Sequence, residues 1–302
     1  MVLVNVKITA RWIMWQAMCR LLSEHFGEAE LSNKVILSGG DIHNTLKIDY
    51  GDHTVFIKQN RREFLPLFKQ EAEQLEMLAK SQTITVPKVY GLGSNKHHSF
   101  LLLEYFPLKS FDNTNAWHFG QQLARLHQWE EQPSYGFDFD TMLSTTVQPN
   151  AWEKRWNTFF AEKRIGLQLQ IASEKGMIFG DIQNLVDIVK DRLAGHQPQP
   201  SLLHGDLWPA NCAMTNQLDG VLYDPACYWG DRECDIAMLP LYKDIPIQII
   251  DGYQSVWPLP AGFLDRQPLY QLYFLLNQAN IFGNEQSYLQ ARSIVDRLLE
   301  EH

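Results

Sequence analysis

Hydrophobic and polar positions change their period along this chain, and the changes mark out its elements. Over residues 10–26, Trp12, Ile13, Trp15, Leu21, Leu22 and Phe26 recur at roughly helical spacing. The stretch Lys34 to Ser38 is apolar and runs into Gly39-Gly40. Leu46, Ile48 and Tyr50 then alternate with Lys47 and Asp49, and Gly51-Asp52 predicts a hairpin into His53 to Lys58. Phe68, Ala72, Leu75 and Ala79 predict a helix over 67–80. Gly91 and Gly93 act as turn signals ahead of the apolar strand SFLLLEYF, which ends near Glu104. Beyond Pro107, segments near 114–130, 150–172, 182–194, 268–280 and 286–300 carry helical periodicity, around a strand-rich island at 201–225. The pattern predicts an α+β protein with a small β-rich lobe, 1–106, and a larger α-helical lobe, 107–302.

Composition and charge narrow the class. A length of 302 residues suits about two domains. With 45% hydrophobic and 20% charged residues, disordered, collagen-like and disulfide-scaffold classes are excluded. The net charge of −9 offers no electrostatic footprint for nucleic acid or an anionic membrane. Cys19, Cys212, Cys227 and Cys234 are scattered without a C-x-x-C pair, which points to reduced thiols rather than a zinc cluster. No apolar run approaches the roughly 18 residues of a membrane span. The opening MVLVNVKITARW lacks the charge and apolar order of a signal peptide, so a cytoplasmic protein is expected.

The strongest chemical signal is His204-Gly205-Asp206-Leu207-Trp208-Pro209-Ala210-Asn211, followed by Tyr223-Asp224-Pro225. Residues 211–215 and 220–223 read as two short strands around a turn near 218. Such a hairpin brings Asn211 and Asp224 to its open end, an amide oxygen beside a carboxylate. Hard oxygen donors of this kind suit Mg²⁺ together with phosphate oxygens. Asp206 enters the same end, where a carboxylate can take a proton from an attacking hydroxyl. An H-x-D, an Asn five residues after the Asp, and a further Asp after a hairpin form the order of a kinase catalytic loop. A surface hairpin with capping side chains would explain any one of these residues, but not all three in sequence.

The smaller lobe offers a partner set. Val55-Phe56-Ile57-Lys58 is similar to the V-A-I-K strand of kinases, whose lysine neutralises ATP phosphates. Such a lysine needs a glutamate from the next helix. Glu71 lies beside the apolar row and Glu73 points away, so Glu71 is the expected partner. Gly39, Gly40, Asp41 and Ile42 form a glycine-containing loop able to approach phosphates. It is not G-x-G-x-x-G, and by itself it would be a plain hairpin turn. Glu104, Tyr105 and Phe106 end the last strand of this lobe, where a hinge would offer backbone groups to adenine, unless they are simply a strand end.

At this point the chain resembles the fructosamine (ketosamine) kinases, within the wider aminoglycoside and choline phosphotransferase group. The matching stretches run from SGGDIHNTLKI and VFIKQN through FKQEAEQLEMLA, VPKVYGLG, LLLEYF, LARLHQ, SYGFDFD and VQPNAWEKRWNTFFAEKRI to LLHGDLWPAN and YDPACYWGDRECDIAM. HGDLW and DPA-x-YWGDRE are far more specific than a generic kinase match. The resemblance implies a bilobal protein-kinase-like fold with its site between the lobes. It implies ATP-dependent phosphorylation of a sugar hydroxyl on a small-molecule ketosamine or glycated amine, with a role in deglycation. By the same resemblance Asp206 would be the base, Asn211 and Asp224 would hold Mg²⁺, and Lys58 with Glu71 would position phosphates. Trp208 would stack on the sugar, its alternative being a core tryptophan. Asp231 and Glu233 would either contact the amine end of the adduct or brace the loop after Asp224. The segment from Gln148-Pro149-Asn150 to Arg164 is likewise typical of the family, whereas Ala210, where glycine is usual, and Ser144-Thr145 ahead of Thr146-Val147-Gln148, where the family often has a glycine, depart from its pattern. Two rival functions remain: a kinase for another amine or sugar, such as an aminoglycoside, and a nucleotide-binding pseudokinase.

Overall fold

The computed structural model describes residues 2–37, 43–217 and 219–301, with side chains from Met14 onward. The chain divides into two compact units, residues 1–80 with 85–108, and 81–84 with 109–302.

The first unit is built on a five-stranded antiparallel sheet of order β1-β2-β3-β5-β4. Its strands are β1 (Leu31–Leu37), β2 (Asn44–Tyr50), β3 (His53–Arg61), β4 (Val89–Ser94) and β5 (His98–Glu104). Helix α1 (Val2–Phe26) precedes them, and α2 (Leu65–Lys80) lies between β3 and β4. Met14, Met18 and Leu22, four residues apart, bury one face of α1 against Leu46, Ile48, Tyr50, Val55, Ile57, Phe100 and Leu102. Because strand side chains alternate, Val55 and Ile57 enter this core while Lys58 points to the other face of β3. In α2 the buried row is Phe68, Ala72, Leu75 and Leu78, with Ala79 exposed. Gly91 and Gly93 do not turn the chain. They lie inside β4, at and beyond a register shift between Val89 and Gly91. Gly91 has φ +146°, and a Cβ on Gly93 would come within 2.8 Å of the Phe100 ring, so glycine here serves a bulged, tightly stacked strand.

The second unit is mainly helical. Helix α3 (Asn113–Gln128) starts with a capping box in which Asp112 accepts from Thr114 N and Asn115 N. A short hairpin, β6 (Thr141–Leu143) and β7 (Thr146–Gln148), follows. The expected helix over 150–172 begins only at Trp156, because Tyr135 and Glu153 exchange backbone hydrogen bonds of 2.8 Å that hold 150–155 extended. It runs as α4 (Trp156–Phe160), a π-helical turn over Ala161–Gly166, and α5 (Leu167–Glu174). Helix α6 (Ile182–Arg192) leads to the strand pairs of the island: β8 (Ser201–Leu203), β9 (Cys212–Met214), β10 (Gly220–Leu222) and β11 (Tyr228–Gly230). The remaining helices are α7 (Glu233–Met238), α8 (Gln248–Val256), α9 (Phe263–Phe282) and α10 (Glu285–Glu300). Helix α9 starts five residues before its expected first residue, Pro268, which lies inside it. No helix among the described residues is long and apolar enough to cross a membrane.

Candidate active site

The expected hairpin over 211–224 forms with shorter strands, and residue 218 of its turn lies outside the described residues. Strands β9 and β10 pair Cys212 with Leu222, and Tyr223 N donates to Asn211 O at 3.1 Å. Asn211 and Asp224 therefore flank the open end. Asn211 Nδ2 donates to Asp206 O at 3.0 Å, to Asp206 Oδ2 at 2.9 Å and more weakly to Asp224 O at 3.5 Å. One amide thus ties the three residues together, and its own oxygen is left as an acceptor. Asp224 has φ +55°, a left-handed conformation that a non-glycine residue adopts at a cost of about 1–3 kcal/mol. Gly205, with φ +80°, passes so close to Ala226 that a Cβ would lie 2.0 Å from the Ala226 oxygen. That approach makes glycine obligatory between His204 and Asp206.

The loop is anchored from below by Asp235 of α7. Its two oxygens accept from His204 N at 2.8 Å, Gly205 N at 2.9 Å and His127 Nε2 at 3.2 Å. Burial alone would push the Asp235 carboxyl up. The hydrogen bond and charge of His127, with the contribution of His204, outweigh it and hold the carboxyl below the usual range. His204 is buried, which pulls its ring toward the neutral form. Nε2 faces Tyr223 O at 3.0 Å and Nδ1 accepts from Asp206 N at 3.3 Å, which fixes a neutral tautomer with its proton on Nε2.

Asp206 has a different balance. Desolvation first, and the neighbouring Asp224 charge second, push its carboxyl up to about 7, against hydrogen bonds from Asn211 and the Trp208 side chain. Trp208 is half-buried, with its ring 6.0 Å from that of Tyr242. Part of the indole is thus exposed, two residues along the chain from Asp206.

Asp231 is a correction. It is 1% exposed, and its carboxylate accepts from His196 at 2.6 Å, from the Tyr270 hydroxyl at 2.5 Å and from Glu233 N at 3.0 Å. A side chain enclosed in this way has no face for a substrate amine. Glu233 is fully buried and held by Arg266 at 2.6 and 2.8 Å. Both acids brace the segment after Asp224. His196, Asp231 and Glu233 also sit close enough together for a metal ion, but their acceptors are taken by these protein donors.

In the first unit, Lys58 Nζ lies 2.6 Å from Glu71 Oε1, with the side chains 5% and 12% exposed, while Glu73 is exposed. Glu104 ends β5, and its Oε2 accepts from Lys88 N at 3.3 Å. Tyr105 follows beyond the strand with Lys47 Nζ 5.3 Å from its ring centroid, and Phe106 comes next, also outside any strand. Gly39, Gly40, Asp41 and Ile42 lie outside the described residues.

Several supporting residues were not singled out from the sequence. Arg164, in the π turn, is fully buried. It donates to Asn150 Oδ1 at 2.6 Å and Pro149 O at 2.8 Å, and stacks 4.2 Å from Tyr228 and 4.6 Å from Phe159. Gln148 Nε2 donates to Ala226 O at 3.2 Å and Gln148 Oε1 accepts from Tyr273, so the β6–β7 hairpin reaches the segment two residues past Asp224. The family-typical run Gln148-Pro149-Asn150 carries this signal, but its long-range partners are not visible in the linear chain.

The family model for fructosamine kinases matches residues 14–301. The chain belongs to the fructosamine kinase family. It is 56% identical over 287 residues to an Escherichia coli K12 protein named "Probable ketoamine kinase", covering 95% of this chain and 99% of the relative. A Vibrio parahaemolyticus protein of the same designation is 48% identical, over 93% of this chain and 99% of the relative. The crystal structure of a Haemophilus somnus protein, assigned as a fructosamine-3-kinase, superposes with TM-score 0.88 at 41% identity, covering 94% and 97% of the two chains. An aminoglycoside phosphotransferase, crystallised as a ternary complex with AMP-PNP and hygromycin B, shares the fold with TM-score 0.62 at 15% identity, over 93% and 97%. The α+β fold is thus protein-kinase-like, and the chain is a kinase.

Proposed function

We propose that this kinase transfers the γ-phosphoryl group of ATP to a sugar hydroxyl of a ketosamine, a sugar joined through its keto carbon chain to an amine. The observation that carries the reading is the linkage of Asp206, Asn211 and Asp224 through one Asn211 amide, in a chain of the fructosamine kinase family.

Asp206 accepts the hydroxyl proton and points the oxygen at phosphorus. A carboxylate near neutrality in its pKa is well matched to that task, since it is available as a base and readily holds the proton. Lys58, held by Glu71, binds the nucleotide phosphates. The donor set of Asn211 amide oxygen and Asp224 carboxylate fits Mg²⁺, and the Asn211 nitrogen is already committed to the loop, leaving oxygen for the metal. When bound, Mg²⁺ neutralises phosphate charge. Trp208 offers an apolar face to the sugar, and Glu104, Tyr105 and Phe106 offer the strand end to adenine. Phosphorylation of such an adduct would mark glycated amines for removal, in the cytoplasm.

The test is a panel of synthetic fructosamines and ribulosamines, free and on lysine peptides, beside aminoglycosides, with ATP and Mg²⁺. Phosphorylated ketosamine with no aminoglycoside product supports the reading, and the reverse pattern overturns it.

A further inference from the structure

Tyr242 is used by none of the roles above, yet it stands beside them. It follows the 3₁₀ turn 239–241 at the C-terminal end of α7, with its backbone N donating to Leu239 O at 3.2 Å and its carbonyl accepting from Ile245 N at 3.2 Å. The same helix carries Asp235, which holds the Asp206 loop. Tyr242 thus follows directly on the α7 and 3₁₀ segment that carries Asp235. The Tyr242 ring packs against Trp208 at a 37° tilt. At a 6.0 Å centroid distance the two rings are in contact, so they form an angled wall rather than a slot.

The hydroxyl is held in a directed way. Ser287 Oγ donates to Gln278 Oε1 at 2.9 Å, which turns the Gln278 amide nitrogen toward Tyr242, where it donates to the phenol oxygen at 2.8 Å. Ser287 is itself fixed at the start of α10 by Asn284. The phenol oxygen is thus the acceptor in this chain, and its proton is left to donate elsewhere. Burial, together with the charge of Asp206, raises the Tyr242 pKa to about 12, which keeps it a donor.

We propose that Tyr242 is an acceptor-specificity residue: its ring extends the Trp208 wall, and its hydroxyl donates to an oxygen of the acceptor sugar. This rests on the ketosamine kinase reading for the identity of that sugar, and on the Trp208–Tyr242–Gln278–Ser287 geometry for the role of the residue. Sites that hydrogen-bond a substrate oxygen discriminate strongly against analogues lacking it, because the protein donor is then left unpaired.

The experiment compares wild type with Tyr242→Phe and Tyr242→Ala, on the ketosamine and on its monodeoxy analogues. If wild type phosphorylates a different acceptor, the function reading fails, and the same comparison is made on that acceptor and its deoxy analogues. Tyr242→Phe is expected to lower kcat/KM for the full acceptor about 5-fold, the loss of one neutral hydrogen bond, with the ATP KM moving less than twofold. One deoxy analogue, penalised in wild type, should lose most of its penalty in Tyr242→Phe. Tyr242→Ala, which also removes the wall, should raise acceptor KM about 30-fold. Gln278→Met serves as the second probe: it keeps the ring and frees the hydroxyl, and it should weaken analogue discrimination with little change in thermal stability. An unchanged acceptor KM in Tyr242→Ala, or analogue penalties identical in wild type and Tyr242→Phe, overturns the proposal.

Discussion

Replacing Asp235 by Asn tests whether the loop that carries Asp206, the proposed base, is held by one buried carboxylate. The substitution keeps size and shape. Asp235 receives three donors, His204 N, Gly205 N and His127 Nε2, from two directions. An asparagine has one oxygen, so at best one direction stays satisfied while its NH₂ faces a donor on the other. A buried donor left unsatisfied costs about 1–3 kcal/mol, and loss of the charge shared with His127 adds to it, so destabilisation of about 2–4 kcal/mol is expected. Because Gly205 precedes Asp206 directly, a displacement of about 1 Å in the loop should also lower kcat about 100-fold. Urea unfolding and an ATP-coupled assay measure the two effects. The pH dependence supplies a further check. Asp235 has a folded pKa below its ordinary value, so its contribution is complete above the ordinary carboxylate pKa and is lost as pH falls through the lower, folded value. The part of the stability gap between wild type and Asp235→Asn that comes from the Asp235 carboxylate should therefore be lost only below about pH 4. A variant within about 0.5 kcal/mol of wild type and within twofold in kcat would refute the anchoring argument.

Asp206→Asn keeps the Asn211 contact on one side but removes the base, so kcat should fall by about 1,000-fold or more while the ATP Kd, read by calorimetry, changes less than twofold. Lys58→Met should raise the ATP KM and lower kcat/KM about 100-fold, and Glu71→Gln, which keeps a hydrogen-bonding oxygen for Lys58, should cost less; equal losses would argue against the pairing seen at 2.6 Å. Arg164→Met should lower unfolding free energy by about 2–4 kcal/mol, and Arg164→Lys should not restore it, because an ammonium cannot both fork to Asn150 and Pro149 and stack on two rings.

The parts of the fold legible in the sequence are those with local causes. The β2–β3 hairpin follows from alternation around Gly51-Asp52, and α2 with its Lys58–Glu71 pair follows from a helical row that puts Glu71 beside buried residues. The 211–224 hairpin follows from turn residues and strand length, which is why Asn211 and Asp224 meet where expected. The misses have physical reasons. Helix α7 is buried on every side, so it has no polar face and no amphipathic period. Gly91 and Gly93 look like a turn because the sequence does not show Phe100 lying against them across the strand pair. The start of the 156–174 helix was hidden because the pairing of Glu153 with Tyr135 spans eighteen residues of loop and β6–β7 hairpin.

The acidic run from Asp224 to Asp235 shows the same limit at the site itself. Asp224, Asp231, Glu233 and Asp235 are four acids within twelve residues, and a linear reading turns some of them outward, toward a cationic substrate. The structure assigns three of them to protein partners from distant segments: His196 and Tyr270 on Asp231, Arg266 on Glu233, His127 on Asp235. Each partner lies more than thirty residues away in the chain, so no spacing rule reveals it. With these three satisfied internally, the Asn211 amide links the Asp206 carboxylate to the backbone of Asp224 at the open end of the hairpin. The net charge of −9 therefore says little about the site, because the acids nearest to it are neutralised by the fold before any ligand arrives.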